Sequence, residues 1–128
     1  MRLERDRWQA GEPDRIVVDD PEPGELDAAL RALDQRVHTE LLLAGHDGQY
    51  LVVEGGAGRY FVLLGSDEHD DAIVAQSPGA AGDEEITVAG RTRRLPRRCL
   101  VDLAAARDAL RAFATDGRPA SALDWAPG

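Results

Sequence analysis

Three apolar runs lie in close succession: Glu40-Leu41-Leu42-Leu43-Ala44, Tyr50-Leu51-Val52-Val53 and Tyr60-Phe61-Val62-Leu63-Leu64, with Ala72-Ile73-Val74-Ala75 as a fourth. Each is too short for a buried helix and rich in branched or aromatic side chains. Turn chemistry separates them, first Gly45-His46-Asp47-Gly48 and then Glu54-Gly55-Gly56-Ala57-Gly58. Links this short join antiparallel neighbours, because a parallel pair needs a crossover of about a dozen residues. The stretch reads as a β-meander, and its dense apolar content places it in mid-sheet.

On the N-terminal side, Leu26, Ala29, Leu30, Leu33 and Val37 recur at helical spacing. They predict a helix over 25–37 with one face on the sheet. Asp20 is the expected cap, with Pro21 at the first helical position. Arg15-Ile16-Val17-Val18 reads as an edge strand or an extended lead-in. Residues 1–13 read as an N-terminal arm, with Trp8 packed on the domain edge, and residues 14–128 as a single domain.

On the C-terminal side, Ile86-Thr87-Val88 and Thr92-Arg93-Arg94-Leu95 flank Ala89-Gly90-Arg91 as a second hairpin. Asp102 should cap a second helix that buries Leu103, Ala106, Leu110 and Phe113 and turns Arg107 and Arg111 outward. Gly117 suits the left-handed position beyond that helix. Leu123-Asp124-Trp125 returns as a short final strand. The expected fold class is α+β, an antiparallel meander sheet with two helices packed on it.

A length of 128 residues fits one domain with a real core. Cys99 is the lone cysteine, which excludes an intrachain disulfide or a cysteine-based metal site and reads as a small buried hydrophobe. The charged opening lacks the apolar stretch of a signal peptide, and no run approaches the roughly 18 apolar residues of a membrane span. The expectation is a soluble, cytoplasmic protein with no membrane partner.

The net charge of -9 is unevenly spread. Residues 1–90 carry 7 Arg against 20 Asp and Glu, whereas residues 91–128 carry 8 Arg against 4 Asp. An acidic main body repels nucleic acid and favours basic protein surfaces. Arg91, Arg93, Arg94, Arg97 and Arg98 form no single stripe, since alternation sends them to both faces, and they have no neighbouring aromatics for base stacking. They read as counter-charges for the acidic body, with no direct nucleic-acid partner.

Catalytic chemistry is not evident. His38, His46 and His69 are the only candidate bases near neutral pH, and no serine or cysteine stands beside one in a known nucleophile pattern. Gly55-Gly56-Ala57-Gly58 joins two strands and lacks the helix and lysine of a phosphate loop. The acidic loop Asp67-Glu68-His69-Asp70-Asp71 holds metal-ligand residue types, but its spacing matches no calcium loop and it lacks the required glycine. The expectation is a non-enzyme with no cofactor and no metal.

From Leu95 to Trp125 the chain shows an ordered set of features. They are Leu95-Pro96, Leu100-Val101-Asp102-Leu103, an Ala-rich helix ending Ala112-Phe113, Asp116-Gly117-Arg118-Pro119, and Asp124-Trp125. This ending resembles immunity protein family one, small proteins encoded beside bacterial polymorphic toxins. With the first helix and the meander, the resemblance covers residues 14–126. It implies a non-enzymatic protein that binds and neutralises a cognate toxin domain, in this family largely nucleic-acid deaminases. Phe113, Gly117, Pro119 and Trp125 are then fold determinants, while toxin specificity lies in the loops.

Toxins acting on nucleic acid carry a basic groove for phosphates, so an inhibitor can present carboxylates to it. Asp67, Glu68, Asp70 and Asp71 are the expected partner-binding residues, ahead of Asp83, Glu84 and Glu85 at the opposite end of the sheet. The alternative reading is a small regulatory or ligand-binding α+β domain without a toxin partner.

Overall fold

The meander leads directly to the architecture in the computed structural model, which describes residues 1–128. Strands β3 (Glu40–Ala44), β4 (Gln49–Gly56), β5 (Arg59–Ser66) and β6 (Ile73–Gln76) are consecutive antiparallel neighbours. They form the middle of a seven-stranded sheet in the order β2-β1-β3-β4-β5-β6-β9. Strand β2 (Glu12–Asp19) closes one edge and β9 (Asp124–Pro127) the other, while β7 (Asp83–Val88) and β8 (Arg91–Pro96) form a separate hairpin. The fold is α+β, with helices α1 (Pro23–Ala32) and α2 (Leu103–Asp116) on one face of the antiparallel sheet.

Alternation along the strands builds the main core. Leu41 and Leu43, Leu51 and Val53, and Tyr60 and Val62 point from adjacent strands to the helix face, where all are buried. Leu26, Ala29 and Leu30 of α1 and Ala106, Ala109, Leu110 and Phe113 of α2 close over them. Ile86, Val88 and Leu100 form a satellite core, packed against Phe61 on the other face of the sheet.

Helix α2 matches its sequence signals. The Asp102 carboxylate accepts the Ala105 N–H at 2.9 Å, and Gly117 closes the helix at φ 72°. Leu103 is half-buried rather than fully buried, and Arg107 is not turned outward, because it reaches Asp27 of α1. Trp125 is half-buried on the helix face opposite Ala75, and its indole N–H donates to the Ala120 carbonyl at 3.0 Å. Pro119 is exposed in the intervening turn.

Two boundaries differ from the sequence reading. Helix α1 starts after Glu22, with Pro23 at its first turn, while Asp20 instead binds the Met1 amine at 3.2 Å. The helix stops at Ala32 rather than at residue 37. Asp34 Oδ1 accepts the N–H groups of Arg36, Val37 and His38, organising a turn that leaves Val37 exposed.

The largest difference lies in residues 1–13, read from sequence as an arm. Arg2–Gln9 is strand β1, an interior strand paired with β2 over its whole length and with β3 from Arg2 to Arg5. Five of its eight residues are charged, so its apolar content is low, yet Leu3 is buried in the main core.

Candidate partner-binding surface

Residue alternation gives the sheet an outer face away from the helices. Register assigns it Val17 of β2, Glu4 of β1, Leu42 of β3, Val52 of β4, Leu63 of β5 and Val74 of β6, each directly opposite the next. A second row on the same face runs Glu40–Glu54–Phe61, and a third runs Ala44–Tyr50–Gly65. The Tyr50 side chain reaches over Gly65, where an added methyl would meet its ring at 2.8 Å.

The β7–β8 hairpin covers one end of this face. Arg93 Nη1 donates to Glu54 Oε1 at 2.8 Å, and the Arg93 guanidinium stands 5.7 Å from the Phe61 ring centroid. A polar network fastens the hairpin. Thr39 Oγ1 accepts the Ala89 N–H at 2.9 Å, and Gln35 bonds the Thr87 N–H and the Gly56 carbonyl. Thr39 is itself held by Asp6, a buried carboxylate that also accepts the Glu40 N–H and the Trp8 indole N–H. Trp8, foreseen as packing on the domain edge, rests against Gly90 at the hairpin turn.

The opposite end carries the acidic loop. Asp67, Glu68, His69, Asp70 and Asp71 are all exposed. None of the four carboxylates lies within ion-pair distance of a basic group, and the loop is attached by the Asp67 N–H to the Gly48 carbonyl at 2.8 Å. The other acidic cluster is largely neutralised internally, with Glu85 alone unpaired. Glu84 pairs with Arg59 and Arg97, and Asp83 with Arg94. Arg93, Arg94 and Arg97 thus serve as counter-charges within the chain.

Two carboxylates are electrostatically unusual. Burial, then the neighbouring Asp6 and Glu54 charges, raises the Glu40 carboxyl above the ordinary glutamate range, with Arg15 and Arg93 only partly opposing. Desolvation acts to raise Asp34 as well. The backbone N–H groups of Arg36, His38 and Val37, together with the His38 charge, outweigh it and leave Asp34 lowered.

A cleft of about 590 Å³ separates α1, α2 and the N-terminus, lined by Met1, Asp20, Asp27, Arg107 and Arg111. Arg107 Nε stands 3.0 Å from Asp27 Oδ1, but the two atoms are misaligned for a directed hydrogen bond, so the contact is one of charge alone. The three histidines lie apart: His38 bonds the Asp6 carbonyl, His46 faces the Met1 amine, and His69 is exposed in the acidic loop. No group of three or more His, Cys, Asp or Glu side chains converges as metal ligands would. No helix is long and apolar enough to cross a membrane. Cys99 is half-buried, 3.9 Å from Gln76 Nε2.

The acidic loop was legible as a charge run. The outer-face row was not foreseen, although its signal is present in the alternate residues Leu42, Val52 and Leu63 once register is known.

Among solved structures, the chain is similar to a crystal structure of a hypothetical protein from Neisseria gonorrhoeae. The TM-score is 0.63 at 13% identity, over 94% of this chain and 90% of that one, a likeness of fold alone. No curated protein matches the chain significantly. A family model described as immunity protein Imm1 matches residues 14–127, nearly the whole sequence. Strand β1 alone lies wholly outside that match, which takes in both helices, the meander and the closing strand. By the extent of that match, the chain belongs to the Imm1 immunity protein family.

Proposed function

We propose that the protein binds a cognate bacterial toxin domain, a nucleic-acid deaminase, in the cytoplasm and neutralises it without catalysis. It does so by presenting Asp67, Glu68, Asp70 and Asp71 to the basic groove that holds the toxin's substrate. Membership of Imm1 supports a toxin protein as the partner. The observation that carries the acidic mechanism is the contrast between the two carboxylate clusters: Asp83 and Glu84 are ion-paired within the chain and only Glu85 is left unpaired, whereas all four carboxylates of the loop at 67–71 lack a counter-charge. Carboxylates left free at one end of the sheet steer a basic partner to that end and fix its register. The helix cleft at Arg107 and Arg111 gives the ligand-binding alternative its one foothold, but Asp20, Asp27 and the Met1 amine share that cleft, so its charge is mixed.

The test is co-expression with the toxin domain encoded by the neighbouring reading frame. The protein should restore growth and abolish deamination of a nucleic-acid substrate. The quadruple variant D67N/E68Q/D70N/D71N should fold normally, associate more slowly, and lose most of the salt dependence of association. Absence of a toxin gene beside this one, or failure to rescue, defeats the reading. Parental association rates for the quadruple variant across a salt series defeat the assignment of the loop.

A further inference from the structure

The acidic loop adjoins a surface that the toxin-binding reading does not use. Val17, Glu4, Leu42, Val52 and Leu63 form one continuous row across β2, β1, β3, β4 and β5. Four inter-strand steps give it a width of roughly 19 Å. The β7–β8 hairpin packs on the neighbouring row at Glu54 and Phe61, and beyond Leu63 the row ends at Val74, which is buried. Val17 is 48% exposed, and Leu42, Val52 and Leu63 are half-buried with nothing packed above them from either helix. Beside the row, Leu42, Ala44 and Tyr50 line a cleft of about 390 Å³ that Glu4 and Asp67 also border.

We propose that this row is a docking surface for the same toxin domain, resting on the reading above, and that its occupant is an apolar segment carrying an arginine or lysine. The apolar stripe and the Tyr50 ring over Gly65 have the composition of an interface centre, where aromatic anchors dominate binding. The charge pattern selects the occupant. Glu4 has one ion pair, a long 3.7 Å contact to Arg15. Glu40, on the same face one residue pair further along, is ion-paired with no basic group. Asp67 borders the cleft without a counter-charge. A cationic side chain entering the cleft would lay its alkyl stem on Leu42 and Tyr50 and meet Glu4 and Asp67 with its head. A second copy of this chain fits less well, because it would set the same carboxylates against one another.

The probe is the inactivated toxin domain from the neighbouring frame, with binding measured by biolayer interferometry and folding by thermal melting. Leu42→Gln should weaken binding by about tenfold or more, chiefly through faster dissociation. Val52→Thr, which closely conserves side-chain volume, combined with Leu63→Gln, which stays near leucine in size, serves as the second probe of the stripe should Leu42→Gln melt early. Glu4→Gln with Glu40→Gln should also weaken binding. If the loop variant loses association rate while both stripe variants bind like the parent, the docking surface is wrong and the toxin reading stands. If the parent fails to inhibit the toxin at all, both fall. Dimers of the free protein that Leu42→Gln disperses would make the row a contact between copies and overturn the proposal.

Discussion

Asp6 Oδ1 accepts the backbone N–H of Thr39 at 2.7 Å, joining an interior strand to the loop that leads into β3. The same carboxylate takes the Trp8 indole N–H at 2.8 Å and the Glu40 N–H at 3.1 Å. Donors converging on one buried acceptor would lose it together. Asp6→Ala should therefore destabilise the protein by roughly 3 kcal/mol or more, since each buried donor left unsatisfied costs about 1–3 kcal/mol. Asp6→Asn, which keeps one acceptor oxygen, should cost less. Urea unfolding measures both, and a loss below about 1 kcal/mol for the alanine variant would show that the network is dispensable.

Removal of residues 1–13 should abolish cooperative unfolding. It deletes β1 from between β2 and β3 and takes Leu3 out of the main core. The edge strand β2 is then left without its only neighbour. A chain starting at Asp14 that still melts sharply would mean that β2 can pair with β3 directly.

Glu40 ties stability to pH. Its folded-state value is raised, so the folded protein holds that proton more readily than the unfolded chain, and ionisation costs stability. This cost is absent below the ordinary glutamate range of about 4.3 and fully present above the raised folded value. Glu40→Gln should stabilise the protein at neutral pH, with the gain fading as pH falls towards about 4. Denaturation midpoints across that range decide the matter. A pH-independent difference between variant and parent would assign the effect to packing.

Trp125→Ala should cost about 2–3 kcal/mol, less than the roughly 3–5 kcal/mol of a fully buried aromatic such as Phe113, because the indole is only half-buried. The loss includes its bond to the Ala120 carbonyl. Melting within a degree or two of the parent would show that β9 contributes little to the folded state.

Residue chemistry determined which elements could be read in advance. The meander was legible because its apolar runs are short and its turns rich in glycine, and α2 because Asp102 and Gly117 mark its ends. Strand β1 was hidden because Arg5, Asp6 and Arg7 look like solvent-facing residues. The burial of Asp6 depends on donors supplied by Thr39 and Glu40, far along the chain. Helix α1 was overextended because the apolar spacing continues to Val37, while the Asp34 side chain captures the N–H groups that a longer helix would have used. The acidic loop declares itself in composition. The stripe from Val17 to Leu63 comes from strands that meet only through register, and no local pattern signals which of their faces the helices leave open.

The order of strands also sets a timetable for protein synthesis. The first two strands can pair with each other as soon as both are made, but β6 gains its outer neighbour only when residues 124–127 have been made. At about 5–20 residues per second, a ribosome needs roughly 2–10 s to cover the stretch between them. During that interval the nascent chain exposes an unpaired strand edge immediately after the acidic loop. A chain cut short before Asp124 would leave that edge of β6 unpaired, and an open strand edge is a ready template for aggregation.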